Sequence, residues 1–344
     1  MENENFKRRT VSSAIITAIM VLLFVLRYFL PDFGMYLFDA ALLTFIIMAI
    51  FETAHLLKLD LRGSSNTIII ITVCLCYVFF IIGMEIVKTE WWLITIIEVL
   101  IVAAFAFYVF LSNTMDKKFQ KQCALLHKNP KKESLLGSLD LLKTLLYPVL
   151  SIFLMIVLNH FHPIDPTTEL DDGNGNLTYE TYKNIGTLAL MLIFAVSFLT
   201  DTASYLLGVT LGYGTKKLVP KISPHKTYVG AVGGIFGGIL ASLLVLLILS
   251  ADPKISSYLT DNLSFADIIG NPAAAANLVF ILIGIFGAVA TIVGGFFASF
   301  LKRKYNTKDF GSFISGHGGI MDRLDGILFN SVFIFIIMLI IEVL

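Results

Sequence analysis

The chain has 344 residues, of which 57% are hydrophobic and only 15% are charged, and its formal net charge is zero. Soluble domains carry about 25% charged residues, so this composition excludes an ordinary soluble protein and predicts a polytopic membrane protein. The three cysteines, Cys74, Cys76 and Cys123, show no spacing typical of a disulfide framework or a zinc site.

Nine apolar runs follow one another along the chain, each about long enough to cross a bilayer as a helix. They cover residues 11–30, 35–57, 66–87, 91–112, 138–160, 185–211, 229–250, 276–301 and 327–344. The predicted fold class is therefore all-α, with about nine transmembrane helices. The first run is too long for the core of a signal peptide, so we interpret it as a retained span.

The distribution of Lys and Arg predicts the orientation of these spans. The N-terminal tail is basic, and so are the loops at 58–62, 113–137, 212–228 and 302–326. The alternate loops are poor in basic residues, and the loop at 161–184 is acidic. Since basic segments stay on the inner side, the N-terminus is predicted to be cytoplasmic and the C-terminus to lie outside.

The chain is predicted to divide into two regions. Residues 1–184 form an N-terminal region of about five spans, with the basic cytoplasmic loop 113–137 and the acidic outer loop 161–184. Residues 185–344 form a C-terminal transmembrane region that carries the polar motifs. Glycines concentrate in this second region, where small residues allow helices to approach closely.

Charged residues inside apolar runs are costly to bury and indicate a paired or functional role. Glu52, His55 and Glu98, in the early runs, are interpreted as structural or interfacial. Asp201 is different, because it lies in the cytoplasmic third of the sixth run and is followed by a lysine-rich loop. Within that loop, residues 220–230 place Lys, Ser and Thr before a helix start, which is typical of an anion site.

A second polar motif, residues 299–325, lies between the last two apolar runs. Its basic residues can neutralise phosphate charges, and its glycines allow a ligand to approach the backbone. Asp322 and Asp325 lie three positions apart on one helix face, as ligands of a magnesium ion would. Both motifs together indicate phosphoryl or nucleotidyl transfer at the cytoplasmic membrane face. The basic residues and glycines are Lys302, Arg303, Lys308, Arg323, Gly316, Gly318 and Gly319.

The two motifs closely resemble the signature of the phosphatidate cytidylyltransferases, also called CDP-diacylglycerol synthases. The upstream part is Asp201-x-x-x-Tyr205-x-x-Gly208 with Ser223-Pro224-x-Lys226-Thr227. The terminal part is Ser299, Lys302-Arg303, Lys308-Asp309, Gly316-His317-Gly318-Gly319 and Asp322-Arg323-x-Asp325. The resemblance covers about residues 195–344, and the earlier spans resemble the family only in being hydrophobic.

The resemblance implies an enzyme of phospholipid biosynthesis, which makes CDP-diacylglycerol and pyrophosphate from CTP and phosphatidic acid. It implies a dimeric, all-helical protein of the cell membrane whose active site faces the cytoplasm. It also implies a magnesium ion and allows a potassium ion beside it. The implied partners are CTP, phosphatidic acid, membrane lipids and a second copy of the chain, and no nucleic acid is expected.

The resemblance further implies roles for individual residues. Catalytic roles are expected for Lys302, Arg303, Lys308, Asp309, His317 and Arg323, with the basic groups on phosphates and His317 shaping the site. Substrate binding is expected for Ser223, Lys226, Thr227, Ser299, Gly316, Gly318 and Gly319. The metal is expected at Asp322, Asp325 and Asp201.

One part of the signature departs from the family. The family reads Gly-Asp-Leu-x-Glu-Ser before the Lys-Arg pair, and its Asp is a metal ligand. This chain has Gly295 in place of that Asp and Ala298 in place of the Glu. Two interpretations stay open: another carboxylate takes over, or the protein is a weakened relative that binds nucleotide or anionic lipid. A transporter or channel is suggested only by the nine spans and intramembrane acids, and it does not explain the Gly-His-Gly-Gly segment.

Overall fold

A computed structural model describes residues 18–56, 63–83, 145–161, 180–220, 222–251, 270–311 and 318–343, with scattered positions between 96 and 139. The described residues are mainly helical, as predicted. Among the described residues, five helices are long and apolar enough to cross a membrane, so the protein is a multi-pass membrane protein. They are Asp32–Thr53, Ile185–Thr210, Tyr228–Leu249, Ala273–Lys304 and Met321–Ile340. The total of nine spans and their orientation stay predictions, and run 91–112 falls almost wholly outside the described residues.

The chain divides into two compact units, one of residues 1–42 and 154–344 and the other of residues 43–153. In chain order, the helices whose bounds the structure describes before residue 160 are α1 (Ala18–Phe29), α2 (Pro31–Leu56), α3 (Gly63–Ile81) and α4 (Ser151–Asn159). A π-helical turn at Leu145–Leu150 precedes α4 and contains Pro148. Proline has no N–H to donate, which favours such a widened turn.

The C-terminal part of the first unit contains four long helices and one small hairpin. They are α5 (Glu180–Thr210), β1 (Lys217–Val219), β2 (Ser223–Thr227), α6 (Tyr228–Leu249), α7 (Pro272–Lys304) and α8 (Met321–Val343). Helix α5 packs against α6, α7 and α8, and α7 packs against both α6 and α8. These four helices are called the bundle below.

Two helices of the bundle extend into the loop that was predicted at residues 302–326. Helix α7 continues to Lys304, and α8 begins at Met321 instead of residue 327. Basic residues stabilise the C-terminal turn of a helix and acidic residues the N-terminal turn, because they complement its dipole. Lys302–Lys304 and Asp322 therefore lie in helical turns, although the sequence had placed them in a loop.

Glycines determine how closely the bundle packs. Five glycines of α6 are buried. A Cβ atom added at Gly237 would lie 2.5 Å from the carbonyl oxygen of Leu199 on α5. One added at Gly238 would lie 2.6 Å from the carbonyl oxygen of Gly284 on α7. Helix α6 is thus held between α5 and α7 at a separation that only glycine allows.

The hairpin in the loop at 212–228 is the exception to the all-α prediction. Its strands are antiparallel, with Lys217 opposite Thr227 and Val219 opposite Ser223. Three-residue β1 is too short to show an alternating pattern of apolar and polar residues, so no strand could be predicted here.

A buried network of four polar residues connects α1, α2 and the end of α4. Arg27 Nε donates to Asn159 Oδ1 at 2.8 Å, and Arg27 Nη2 donates to the Asn159 carbonyl oxygen at 3.0 Å. Asn159 Nδ2 donates to Asp39 Oδ1 at 2.7 Å, and His160 Nε2 lies 2.6 Å from Asp39 Oδ2. All four residues are 0% exposed. All four residues lie within predicted apolar runs and belong to no motif.

Candidate active site

Charged side chains from four elements converge at one end of the bundle. Asp201 comes from α5, Lys226 from β2, Lys302 from α7, and Asp322 and Asp325 from the first turns of α8. Asp201 and Asp325 interact electrostatically with each other and with Lys226, and Asp325 also interacts with Lys302 and Asp322. We call these five residues the charged cluster. All five were predicted as site residues from the sequence.

An ion pair fixes one side of the charged cluster. Lys302 Nζ donates to Asp322 Oδ1 at 2.7 Å, and the two side chains are only 14% and 8% exposed. Asp322 Oδ2 accepts hydrogen bonds from the backbone N–H groups of Phe310 and Gly319, both at 2.9 Å. Lys302 Nζ also lies 5.4 Å from the centroid of the Phe310 ring. Charge-assisted bonds of this kind hold a carboxylate in one orientation.

Two residues with positive φ shape the backbone around Asp322. Asn306 (φ 55°) follows the end of α7, where the Thr307 N–H donates to the Lys302 carbonyl oxygen at 2.9 Å. Such a left-handed residue is a common way to end a helix, and it reverses the chain direction. Gly318 has φ 82°, and a Cβ atom there would lie 2.9 Å from Asp322 Oδ2. Glycine is therefore required beside this carboxylate.

Lys226 is positioned by its neighbour Thr227. Thr227 Oγ1 accepts a hydrogen bond from the Gly230 N–H at 3.0 Å and so caps the N-terminus of α6. Thr227 is buried, and a Cβ atom at Gly212 would lie 2.7 Å from its hydroxyl. The predicted contact of Thr227 with phosphate stays a prediction. Ser223 lies at the other end of β2, about 10 Å from Lys226 along the strand, and the structure does not bring the two together.

The remaining predicted polar residues lie outside the charged cluster. Ser299 Oγ donates to the Gly295 carbonyl oxygen at 2.7 Å, one turn earlier on α7. Arg303 is exposed and donates to the Thr307 carbonyl oxygen at 3.3 Å. Lys308 and Arg323 are exposed as well. Arg303 and Arg323 directly follow the cluster residues Lys302 and Asp322 in the sequence.

Three further predicted residues belong to the segment before α8. Asp309 is exposed, and its Cγ would lie 3.5 Å from a Cβ atom at Gly318, so it borders Asp322. Gly316 and His317 lie outside the described residues, and their predicted roles stay predictions.

Aromatic rings lie beside Lys226 and Lys302, and these contacts were not predicted from the sequence. Lys226 Nζ lies 4.7 Å from the centroid of the Phe296 ring, and Phe310 lies below Lys302 as described above. Cation–π contacts at these distances favour an ammonium group. Phe296 stands within an apolar run, where a phenylalanine gives no signal. The only available signal was its place directly after Gly295 in the motif.

The charged cluster has the donor chemistry for a hard divalent cation. Its three carboxylates outnumber its two ammonium groups. Within the described part of the chain, no hydrogen bond reaches the Asp201 carboxylate, and Asp325 accepts one from the Gly326 N–H at 2.8 Å. Both therefore keep oxygen atoms able to coordinate, whereas both oxygens of Asp322 already accept hydrogen bonds. Magnesium is commonly held by one or two carboxylates together with substrate phosphates, so these residues fit it. Among the described residues, no group of three or more His, Cys, Asp or Glu side chains is arranged to hold a metal ion, so Asp201, Asp322 and Asp325 do not form a complete set of protein ligands.

The chain is similar to known cytidylyltransferases. The model of the cytidylyltransferase family matches residues 7–341. A phosphatidate cytidylyltransferase of Rickettsia bellii is 33% identical over 161 residues, which are 47% of this chain and 62% of that protein. Proteins with the same name match from Staphylococcus epidermidis (36% over 151 residues, 44% of this chain and 48% of that protein) and Thermotoga maritima (30% over 162 residues, 47% and 53%). The matched segments thus span about half to three fifths of these curated relatives. Because the family model covers nearly the whole chain, this protein belongs to the cytidylyltransferase family.

Proposed function

We propose that this protein is a CTP-dependent phosphatidate cytidylyltransferase. An oxygen of the phosphatidic acid phosphate attacks the α-phosphorus of CTP and forms the new P–O bond of CDP-diacylglycerol. The bond from the α-phosphorus to the oxygen that bridges to the β-phosphate breaks, and pyrophosphate leaves with that oxygen. The observation that carries this proposal is the convergence of Asp201, Lys226 and Asp325 from three elements at one end of an apolar bundle. The names of the matched relatives support the substrate class.

The side chains of this chain supply binding and charge neutralisation. Two highly charged phosphate groups must approach each other, and fixed positive charges lower that barrier most when they need no rearrangement. Lys226, held against α7, and Lys302, held by Asp322, are such charges. The exposed residues Arg303, Lys308 and Arg323 would neutralise the outer phosphates. A phosphate monoester is largely a dianion near neutral pH, so no side chain is assigned as a general base.

Asp201 and Asp325 would hold the magnesium ion, whose charge neutralises phosphate oxygens when it is bound. Asp322 remains a predicted ligand in addition to its bond with Lys302. The contacts of Asp322 directly support one contribution, which is to hold Lys302 in place.

The proposed setting is the cell membrane, with nine spans and the charged cluster on the cytoplasmic side. The distribution of Lys and Arg supports this orientation, and CTP is available on that side. The protein is proposed to act as a homodimer, as its resemblance to the family implies. Residues 1–184 would form the N-terminal membrane region and residues 185–344 the catalytic region.

The test supplies purified full-length protein in detergent with labelled CTP, phosphatidic acid and magnesium chloride. We expect CDP-diacylglycerol and pyrophosphate in equal amounts, and neither product when phosphatidic acid or magnesium is left out. Formation of no CDP-lipid with any divalent cation would exclude the catalytic proposal.

A second candidate function is a weakened relative that binds nucleotide or anionic lipid, and Gly295 is the observation that favours it. The replacement Gly295→Asp separates the two. A large gain in CDP-lipid synthesis would mean that the native site is impaired by the missing carboxylate. An unchanged or lower rate would mean that the native site already works with the residues it has.

A further inference from the structure

Gly295 provides space for the Lys226 ammonium group. A Cβ atom added at this glycine would lie 2.6 Å from Lys226 Nζ and 4.0 Å from its Cε. Real Cβ atoms essentially never approach another heavy atom within 3.0 Å. Lys226 therefore rests directly against the backbone of α7, in a position that any side chain at residue 295 would disturb.

The surroundings of Lys226 Nζ are those of a bound cation. The Phe296 ring lies on one side, with its centroid 4.7 Å away. The Asp201 and Asp325 carboxylates attract the ammonium group electrostatically. The start of the lysine side chain is fixed, since the next residue, Thr227, caps α6. An ammonium group also resembles a potassium ion in charge and nearly in size.

We propose that Lys226 is the resident monovalent cation of the site: with glycine at position 295, its ammonium group takes the place beside Asp201 and Asp325 that a bound potassium ion would otherwise occupy. This inference rests on the proposed function for its role in catalysis. It follows that the protein binds no monovalent metal ion at this position. Synthesis of CDP-lipid then proceeds equally well when potassium is replaced by a bulky organic cation.

The experiment compares thermal midpoints in two salts. Native protein, Lys226→Met and the control Lys217→Met are purified in one detergent with magnesium chloride. Lys217 is an exposed lysine of the same hairpin that belongs to no part of the charged cluster. Each protein is heated in potassium chloride and in N-methyl-D-glucamine chloride at equal ionic strength.

We expect the native protein and Lys217→Met to show the same midpoint in both salts. Lys226→Met leaves Asp201 and Asp325 without their ammonium group, so potassium should raise its midpoint by about 2–4 °C. A midpoint of native protein that depends on potassium to the same extent would overturn the inference. So would a Lys226→Met protein that responds no more than the native one.

Gly295→Ala provides the second variant if Lys226→Met does not fold. It keeps the lysine charge but moves the ammonium group, and it should show a smaller potassium shift in the same direction. An absent shift in this variant contradicts the inference as well.

The two proposals can fail separately. The thermal measurement needs no substrate, so the inference can hold even if no CDP-lipid is formed. Conversely, native protein that makes CDP-lipid only in the presence of potassium would support the proposed function and exclude the inference.

Discussion

Two clusters of charged residues in the same compact unit are built differently. In the buried network, Arg27, Asp39, Asn159 and His160 are 0% exposed and held by contacts of 2.6–3.0 Å. In the charged cluster, carboxylates outnumber ammonium groups, and Asp201 is exposed on the chain surface. The residues of the buried network bond mainly to one another and join three helices, whereas the carboxylates of the charged cluster have oxygen atoms left for a ligand.

Helix α5 passes both clusters. A Cβ atom at Gly186 would lie 2.8 Å from the Asn159 carbonyl oxygen, so this part of α5 packs on the buried network. Asp201 lies fifteen residues further along, about 22 Å away at 1.5 Å per residue. The separation allows each cluster to be changed without touching the other.

The largest effect is expected from Asp39→Ala. It leaves Arg27 and His160 buried without their shared carboxylate, and loss of one partner in a buried pair costs about 3–5 kcal/mol. The thermal midpoint should fall strongly, while the CDP-lipid formed per folded molecule stays unchanged. Lys217→Ala, an exposed change on β1, is the control, because Asp32, although exposed on α2, itself attracts Arg27 electrostatically. A midpoint as high as that of the control would mean that the network contributes little to stability.

The second-largest effect is expected from Asp325→Asn, which should lower activity and leave stability nearly unchanged. The amide keeps the shape of the side chain but removes one negative charge from the cluster. We expect about a 100-fold fall in CDP-lipid synthesis, equivalent to about 2.7 kcal/mol, with little change in thermal midpoint. Asp32→Asn serves as the control for activity. Full activity in Asp325→Asn would contradict its proposed role.

A pair of identical replacements compares the two regions directly. An added Cβ atom at Gly186 meets backbone oxygens of Leu158 and Asn159 at 2.6 and 2.8 Å. Backbone cannot give way easily, so Gly186→Ala should destabilise by about 1–3 kcal/mol. Gly295→Ala meets only the end of a flexible lysine and should leave the midpoint nearly unchanged while it alters activity. Equal losses of stability in both variants would contradict the distinction between the tightly bonded buried network and the charged cluster, which has oxygen atoms left for a ligand.

The smallest effect is expected from Thr227→Val, which removes the N-cap of α6. Loss of a cap costs about 1 kcal/mol, and CDP-lipid synthesis should decline modestly because Lys226 loses its fixed neighbour. Thr227→Ser keeps the accepting oxygen and should restore both properties. If serine proves as harmful as valine, the hydroxyl group is not what positions this segment.

The lengths of the apolar runs predicted most helices of the bundle, because a long helix satisfies all backbone hydrogen bonds within a membrane. The predicted run 229–250 differs from α6 by one residue at each end. The predicted start of α8 was six residues too late. An apolar run ends where charged residues begin, whereas acidic residues stabilise the first turn of a helix and so allow α8 to start earlier. The hairpin was missed because its strands are too short to show a pattern.

The charged cluster was predictable because Asp201, Lys226 and Asp322 stand out as charges beside apolar runs. The buried network was not, since Arg27 and Asn159 are 132 positions apart and neither belongs to a motif. The aromatic contact at Lys226 was equally hidden, because Phe296 looks like any other residue of an apolar helix. Only the folded structure brings the Lys226 side chain of β2 over the Phe296 ring of α7.

Asp322 Oδ2 affects how the segment between residues 310 and 319 can vary among related proteins. It binds the N–H groups of both Phe310 and Gly319, so it holds together the two ends of the segment between them. Lengthening a chain whose ends are already joined costs little, about 0.6 kcal/mol for each doubling. Insertions between residues 310 and 319 should therefore be tolerated by the fold far better than any replacement of Asp322, which would release both ends at once.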